Sequence, residues 1–315
     1  MAPLADRQDS PDPAKLAVGR WAGGLDLDVA GLGSRRGRLR RWSYVAAADD
    51  HVAAGAAVID LGYVVAAFVW VCRDGHVVQW ERKGLPGRHG RVPSTAADGV
   101  AWYRRGTDRV EVSPDGTMRA EVGRGERRIE VDLRIQPDQP ASVIVPTARG
   151  GWNATQKSAG ETAVGRVSAV GWEHDLHGGA WRDYTVGRQD RDTSWRWAAG
   201  AGRSATRRVG LNASTGMNEH PPGENIVWWD GVPYPLLLTK LQPVGDNAGP
   251  WVLEGPAWAL DFRPAGVRAA DENLLLVRSR YVQPIGTFHG TLPGPDGDPV
   301  EVVVQGVTED HQARW

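Results

Sequence analysis

The sequence predicts an all-β protein of many antiparallel strands, and three observations predict it. Turn signals containing Asp-Gly recur at "RDG" (73–75), "SPDG" (113–116), "WDG" (229–231) and "GPDGD" (294–298). That dipeptide supplies the positive φ angles of tight hairpins. Between the turns lie β-branched runs such as "RIEVDLRI" (128–135) and "VEVVVQGV" (300–307). No window carries the long, capped apolar stripe of a helix.

The elements follow in order. Residues 1–16 are rich in Pro and Asp and lack the apolar core of a signal peptide, so a disordered leader and a cytoplasmic protein are expected. Residues 53–72, "AAGAAVIDLGYVVAAFVWVC", are nearly all apolar and follow "SRRGRLRR", the pattern of a membrane helix with positive flanks. Asp60 near the middle would cost about 2.5–3.5 kcal/mol there, and Gly55, Gly62 and the β-branched residues weaken a helix. Two buried strands fit this stretch better, and no stable membrane insertion is expected.

An internal echo divides the chain. "RWSYVAAADDHVAAG" begins a segment, 41–75, with an aromatic pair, a small-residue strand, an aromatic strand and an Asp-Gly turn. Residues 195–231 repeat that order from Trp195 and Trp197 to "IVWWDG". Trp42 and Tyr44, like Trp195 and Trp197, are two apart and share one face of a strand. Two related tandem β-domains follow, 17–150 and 151–315, with a seam in the Pro- and Gly-containing stretch 140–155.

Bulk properties exclude several classes. The net charge of −1 gives no field for nucleic acid. One cysteine, Cys72, permits no disulfide within the chain and no cysteine metal cluster. Phosphate-binding loops, a nucleophile elbow and a dinucleotide fingerprint are absent, and no cofactor is expected.

The chain resembles the bacterial family catalogued as domain of unknown function (DUF) 2804. The resemblance rests on "RRWSYV", "TQKSAG" (155–160), "RDYTVGRQDRDTSWRWAAGAG" (182–202), "VGLN" (209–212), "ENIVWWDG" (224–231) and the terminal "HQARW". Val186 stands where the family block carries Arg, so no role of that Arg transfers. More distantly the chain is similar to the twin-barrel calycin group that includes hydroxyneurosporene synthase. This implies two lipocalin-like barrels related by a pseudo-twofold axis, and an apolar or amphipathic ligand of terpenoid, polyene or fatty acyl type.

Asp183 is the leading catalytic candidate. A carboxyl group beside an aromatic pocket can act as a general acid in hydration, isomerisation or cyclisation. The alternative is an ion pair with Arg188 or Arg191. Lys157 is one of four lysines against 33 arginines, which suggests a task for a compact ammonium. Glu224 is a possible second carboxylate. Trp195 and Trp197 either line a pocket or plug a barrel. Arg188, Arg191, Asn212, Asn225 and Trp228 complete the candidate ligand-binding set.

"WEHDLH" (172–177) invites a metal reading, but His174 and His177 point to opposite faces of a strand, so no metal is expected. Two rivals remain. One is a carrier or interaction protein without chemistry. The other is a carbohydrate protein, with Trp228 or Trp229 facing outward to stack sugars.

Overall fold

The computed structural model describes residues 1–7, 17–27, 29, 39–169, 171–219, 221–274 and 277–315. They form two antiparallel sheets, of 13 and 9 strands, with no α-helix among the described residues. The Asp-Gly signals fall on hairpin turns: Asp74 and Gly75 have φ of 51° and 78°, and Asp230 and Gly231 have 51° and 85°. No helix among the described residues is long and apolar enough to cross a membrane.

The first sheet runs in the order His76–Gly84, Val65–Arg73, Val52–Asp60, Arg40–Ala48, Trp172–Arg188, Trp152–Ala169 and Ile129–Gln136, then through hairpins to Gly90–Arg91. It curls until Val52–Asp60 touches Gly90–Arg91. The second sheet follows the same path: Val232–Pro235, Ile226–Trp229, Arg208–Thr215, Asp192–Arg203, Pro299–Arg314, Val277–Pro293, Trp258–Leu274, Trp251–Gly255 and Lys240–Pro243.

The sheets change over at residues 189–191, not near 150. Trp152–Ala169 and Trp172–Arg188 form one long hairpin, and the latter pairs with Arg40–Ala48. Thr147–Gly151 is the turn of a second hairpin in this sheet, closed by Thr147 N–H to the Gly151 carbonyl at 3.1 Å. Its Pro and Gly residues therefore mark a turn rather than a linker. The expected disorder of 1–16 fails for residues 1–7. Leu4 N–H donates to the Pro233 carbonyl at 2.8 Å, and the Ala5 carbonyl accepts from Ala22 N–H at 2.9 Å. This segment ties both sheets together; residues 8–16 lie outside the described residues.

Three apolar layers result. Val45, Ala54, Val58, Val69 and Leu133 fill the first barrel, while Leu211, Trp251, Phe262 and Phe288 fill the second. A third layer between them contains Tyr44, Ala46, Trp70, Trp181, Trp197 and Trp228. Residues 53–72 are apolar because both faces of their two strands are buried, one in a barrel and one in the seam. Cys72 lies in that seam, where burial pushes its thiol up to about 11 and leaves it inert.

Small residues let the barrels approach. A Cβ at Gly210 would lie 2.1 Å from the Ala159 carbonyl carbon, which is backbone and cannot turn aside. Gly210→Val should therefore cost at least the roughly 1–3 kcal/mol typical of overpacking. Urea unfolding would measure this, and an unchanged midpoint would show that the seam separates freely.

Candidate functional site

The echoed strands meet face to face. Trp42 stacks on Trp195 with ring centroids 6.4 Å apart, and Tyr44 meets Trp197 edge-on at 5.5 Å. Each strand pairs with a neighbour that carries a carboxylate. Asp183 lies opposite Tyr44, and Glu309 opposite Trp197. The correspondence extends to hydrogen bonds: Trp42 Nε1 donates to Asp183 Oδ2 at 3.1 Å, and Trp195 Nε1 donates to Glu309 Oε1 at 2.9 Å. The next strand brings Lys157 to Asp183 in the first copy and Gln283 to Glu309 in the second. Asp183 thus belongs with Trp42 and Tyr44 in the first sheet. The two indoles that follow it in sequence, Trp195 and Trp197, belong with Glu309.

Where the copies meet there is a cavity of about 140 Å³. Its apolar lining includes Trp42, Tyr44, Ile59, Phe68, Trp195 and Trp197. Its polar lining comes as two groups, one around Asp183 of the first sheet, to which the second sheet adds Glu224, and one around Glu309 of the second. A wider groove of about 770 Å³ elsewhere along the seam is lined by glycines and by residues such as Asp49, His177, Arg203 and Arg208, with no Trp, Tyr or Phe.

The first polar group is Lys157, Asp183 and Glu224. The Lys157 Nζ lies 2.7 Å from Asp183 Oδ2 and 3.6 Å from Glu224 Oε2, with all three residues buried. Burial pushes the Lys157 ammonium down, but the two carboxylates together outweigh it and hold its pKa above the usual lysine value. Nζ also stands 5.8 Å from the centre of the Trp197 ring. Thr185 Oγ1 lies 2.9 Å from Asp183 Oδ1, and Asn218 Nδ2 donates to Glu224 Oε2 at 2.8 Å.

The second group is Glu309, His311, Ser279, Gln283, Arg268 and Tyr281. Burial pushes Glu309 up, but His311, Arg268 and the Trp195 N–H prevail and hold it below the usual carboxylate range. His311 Nδ1 lies 3.2 Å from Glu309 Oε1, and its Nε2 lies 3.0 Å from Ser279 Oγ. Arg268 is 3% exposed and donates to Gln283 Oε1 at 3.1 Å and to the Tyr281 hydroxyl at 2.8 Å. None of these six residues stands out from the sequence read alone. Their signal is the echo continued to the strand 299–314, where Glu309 takes the place of Asp183.

The structure places Lys157, Asp183, Glu224, Trp195 and Trp197 on the cavity. The other predicted residues lie elsewhere. Arg188 and Arg191 are exposed; Arg188 donates to the Gly150 carbonyl, so neither pairs with Asp183. Asn212 supports the cavity from behind, accepting from Trp197 Nε1 at 2.9 Å and donating to the Glu224 carbonyl at 2.7 Å. Asn225 Oδ1 accepts from Ser214 N–H at 2.6 Å. Trp228 is fully buried, with Nε1 bonded to the Gln139 carbonyl, because the seam covers its face. Trp229 is 1% exposed, so neither indole of the pair offers an outer platform for sugars. Val186 is buried in the first barrel core. His174 bonds Asp49 at 2.7 Å, and no metal-binding group of three His, Cys, Asp or Glu occurs among the described residues.

The profile of a family described as Domain of unknown function (DUF2804) matches residues 25–315. The chain belongs to that family. No curated protein matches it. Among solved structures, this chain is similar to kievitone hydratase from Nectria haematococca, with 10% identity, a TM-score of 0.56, and 85% of this chain and 88% of that one covered. A protein designated AttH from Nitrosomonas europaea gives 10% identity and a TM-score of 0.53 over 89% and 96% of the two chains. CghA gives 13% identity and 0.51 over 99% and 97%. At these identities the likeness shows the fold, the twin barrel.

Proposed function

We propose that this DUF2804 protein binds a small amphipathic molecule between its barrels and promotes proton-transfer chemistry on it. Hydration, isomerisation or cyclisation of a double bond are the reactions in view. The observation that carries the reading is an aromatic cavity with ionisable groups on both sides, the buried Lys157–Asp183–Glu224 and the half-buried Glu309–His311. Addition across a double bond needs one group to give a proton and another to take one. The name of kievitone hydratase supplies a precedent at the level of fold only.

The sequence gives Asp183 the role of proton donor. Trp42, Lys157 and Thr185 all direct polar hydrogens at its oxygens, so the donor role passes to Lys157, whose firmly held proton suits a basic centre such as an enolate carbon, and Asp183 holds that ammonium. Glu224 and Asn218 brace it from the far side. Trp195 and Trp197 form apolar walls. A cavity of about 140 Å³ matches engineered cavities that admit benzene, so it suits a ring or short branched chain rather than a whole carotenoid.

Native mass spectrometry of freshly purified protein, with organic extraction, tests the binding. A small molecule should leave on denaturation and be missing from Ala57→Trp, whose indole would fill the cavity. An empty wild type that takes up no compound from a set of small amphipathic alkenes would end the reading. Lys157→Met should keep binding and lose turnover of the extracted compound, whereas a carrier would show no turnover to lose.

A further inference from the structure

Arg268 is a buried cation without an ion-pair partner among the described residues. Its guanidinium lies between two rings, 3.9 Å from the centre of Phe68 and 4.7 Å from that of Tyr281. Two of its five N–H groups are accounted for, by Gln283 and Tyr281, and Nε has no partner. The Tyr281 hydroxyl accepts from Arg268, which leaves its own proton to donate. Phe68 also packs against Tyr44, with ring centroids 6.1 Å apart. Tyr44 is 5% exposed and lines the cavity; the indole N–H groups of Trp70 and Trp181 face its hydroxyl, which has no acceptor for its own proton among the described residues. Burial raises the pKa of both phenols and keeps them as donors.

The Glu309 acceptors on this side are already engaged: Oε1 takes Trp195 and His311, and Oε2 takes Gln283. Glu81, on the exposed side of the lining, forms no hydrogen bond or ion pair with Arg268. What the wall has spare is hydrogen-bond donors, and a buried donor left unmatched is unfavourable. The missing partner is an oxygen acceptor.

We infer that Tyr44, Arg268 and Tyr281 form a receptor for the carbonyl oxygen of a conjugated carbonyl compound. The inference rests on the proposed binding function and narrows its ligand from small amphipathic molecules in general to enones and related ketones. A guanidinium with two phenols polarises a carbonyl and stabilises the charge that gathers on its oxygen when a nucleophile adds at the conjugated carbon. The hydrocarbon part of the ligand lies against Trp195 and Trp197, within reach of Lys157.

The probe is cyclohex-2-enone, a one-ring enone of a size for the cavity, whose carbonyl stretch, isolated as the difference between carbonyl-12C and carbonyl-13C forms, moves to lower frequency when the carbonyl is polarised. Its control is the allylic alcohol with the same skeleton. Wild type should bind the enone with the stretch shifted to lower frequency relative to the enone in dioxane. Arg268→Met should weaken enone binding about tenfold, as expected for loss of a charged hydrogen bond, and remove most of the shift. Tyr44→Phe and Tyr281→Phe, which keep the ring volume, should each reduce the shift. Alcohol binding should change less than enone binding in all three variants.

If the wild type binds the enone without a shift, or the variants lose enone and alcohol equally, the carbonyl receptor is overturned while cavity binding stands. If the wild type binds neither probe, the receptor fails together with the binding function. Should Arg268→Met not fold, the two phenylalanine variants decide by the same shift.

Discussion

Asp183→Ala is expected to destabilise the protein by about 3–5 kcal/mol, the cost of removing one partner of a buried ion pair. The Lys157 side chain is 5% exposed and would keep only Glu224, at 3.6 Å instead of 2.7 Å. The Trp42 N–H and the Thr185 hydroxyl would lose their acceptor in the same step. Lys157→Met removes the charge itself and fills similar volume, so the double variant Lys157→Met with Asp183→Ala should recover part of the loss. A double-mutant cycle in urea measures this, and additive losses would show that the pair does not act as a unit.

The same pair fixes an alkaline limit. Because the folded pKa of Lys157 is raised, its contribution is complete below the ordinary lysine value and is lost as pH climbs through the higher folded value. In Asp183→Ala the folded pKa falls, so the loss of stability with rising alkaline pH should shrink relative to wild type. Glu309 acts at the opposite end. Its folded pKa is lowered, so its contribution is present above the ordinary carboxylate value and is lost as pH falls through the folded one.

Trp197→Ala is the second large effect. Trp197 is 7% exposed and its ring packs edge-on against Tyr44. Truncating such a side chain costs about 3–5 kcal/mol. Asn212 Oδ1 also loses its donor, although its amide still holds the Glu224 carbonyl. The space released adjoins the cavity, so the variant should accept larger alkenes than wild type while melting at lower temperature. Thermal unfolding with and without a graded series of probes tests both parts. A variant that melts lower but keeps the wild-type size preference would mean that the Trp197 ring does not bound the ligand.

The local chemistry of the fold was legible. The Asp-Gly pairs at 74–75 and 230–231 require positive φ, and alternate residues of 40–48 separate into two faces. The membrane-like run 53–72 was read as two strands because Asp60 and the glycines spoil a helix; in the structure Asp60 Oδ1 accepts from Gly62 N–H at 2.8 Å in the turn between them. The echo correctly related Trp42 and Tyr44 to Trp195 and Trp197. It did not reveal which sheet each neighbouring strand joins. Asp183 is twelve residues before Trp195 in sequence, yet it hydrogen-bonds Trp42, because Trp172–Arg188 returns across the first sheet.

The site was half legible for the same reason. Lys157 stood out as a rare residue type, and Asp183 and Glu224 as carboxylates near aromatic blocks. Arg268 did not stand out among 33 arginines. Only burial separates it from those in solvent, and burial comes from long-range pairing. Trp228 was misread because a strand covered on both sides looks, in sequence, like one with a free aromatic face.

The cavity lies where two like halves face each other, and such a place normally offers the same surface from either direction. A ligand there could enter either way round with equal ease. In this chain the positions that should match have become different: ammonium against amide at Lys157 and Gln283, and a hydroxyl-braced carboxylate against an imidazole-braced one at Asp183 and Glu309. For the proposed ligand, head and tail would thereby be told apart, and the two barrels together would hold one oriented site instead of two interchangeable ones.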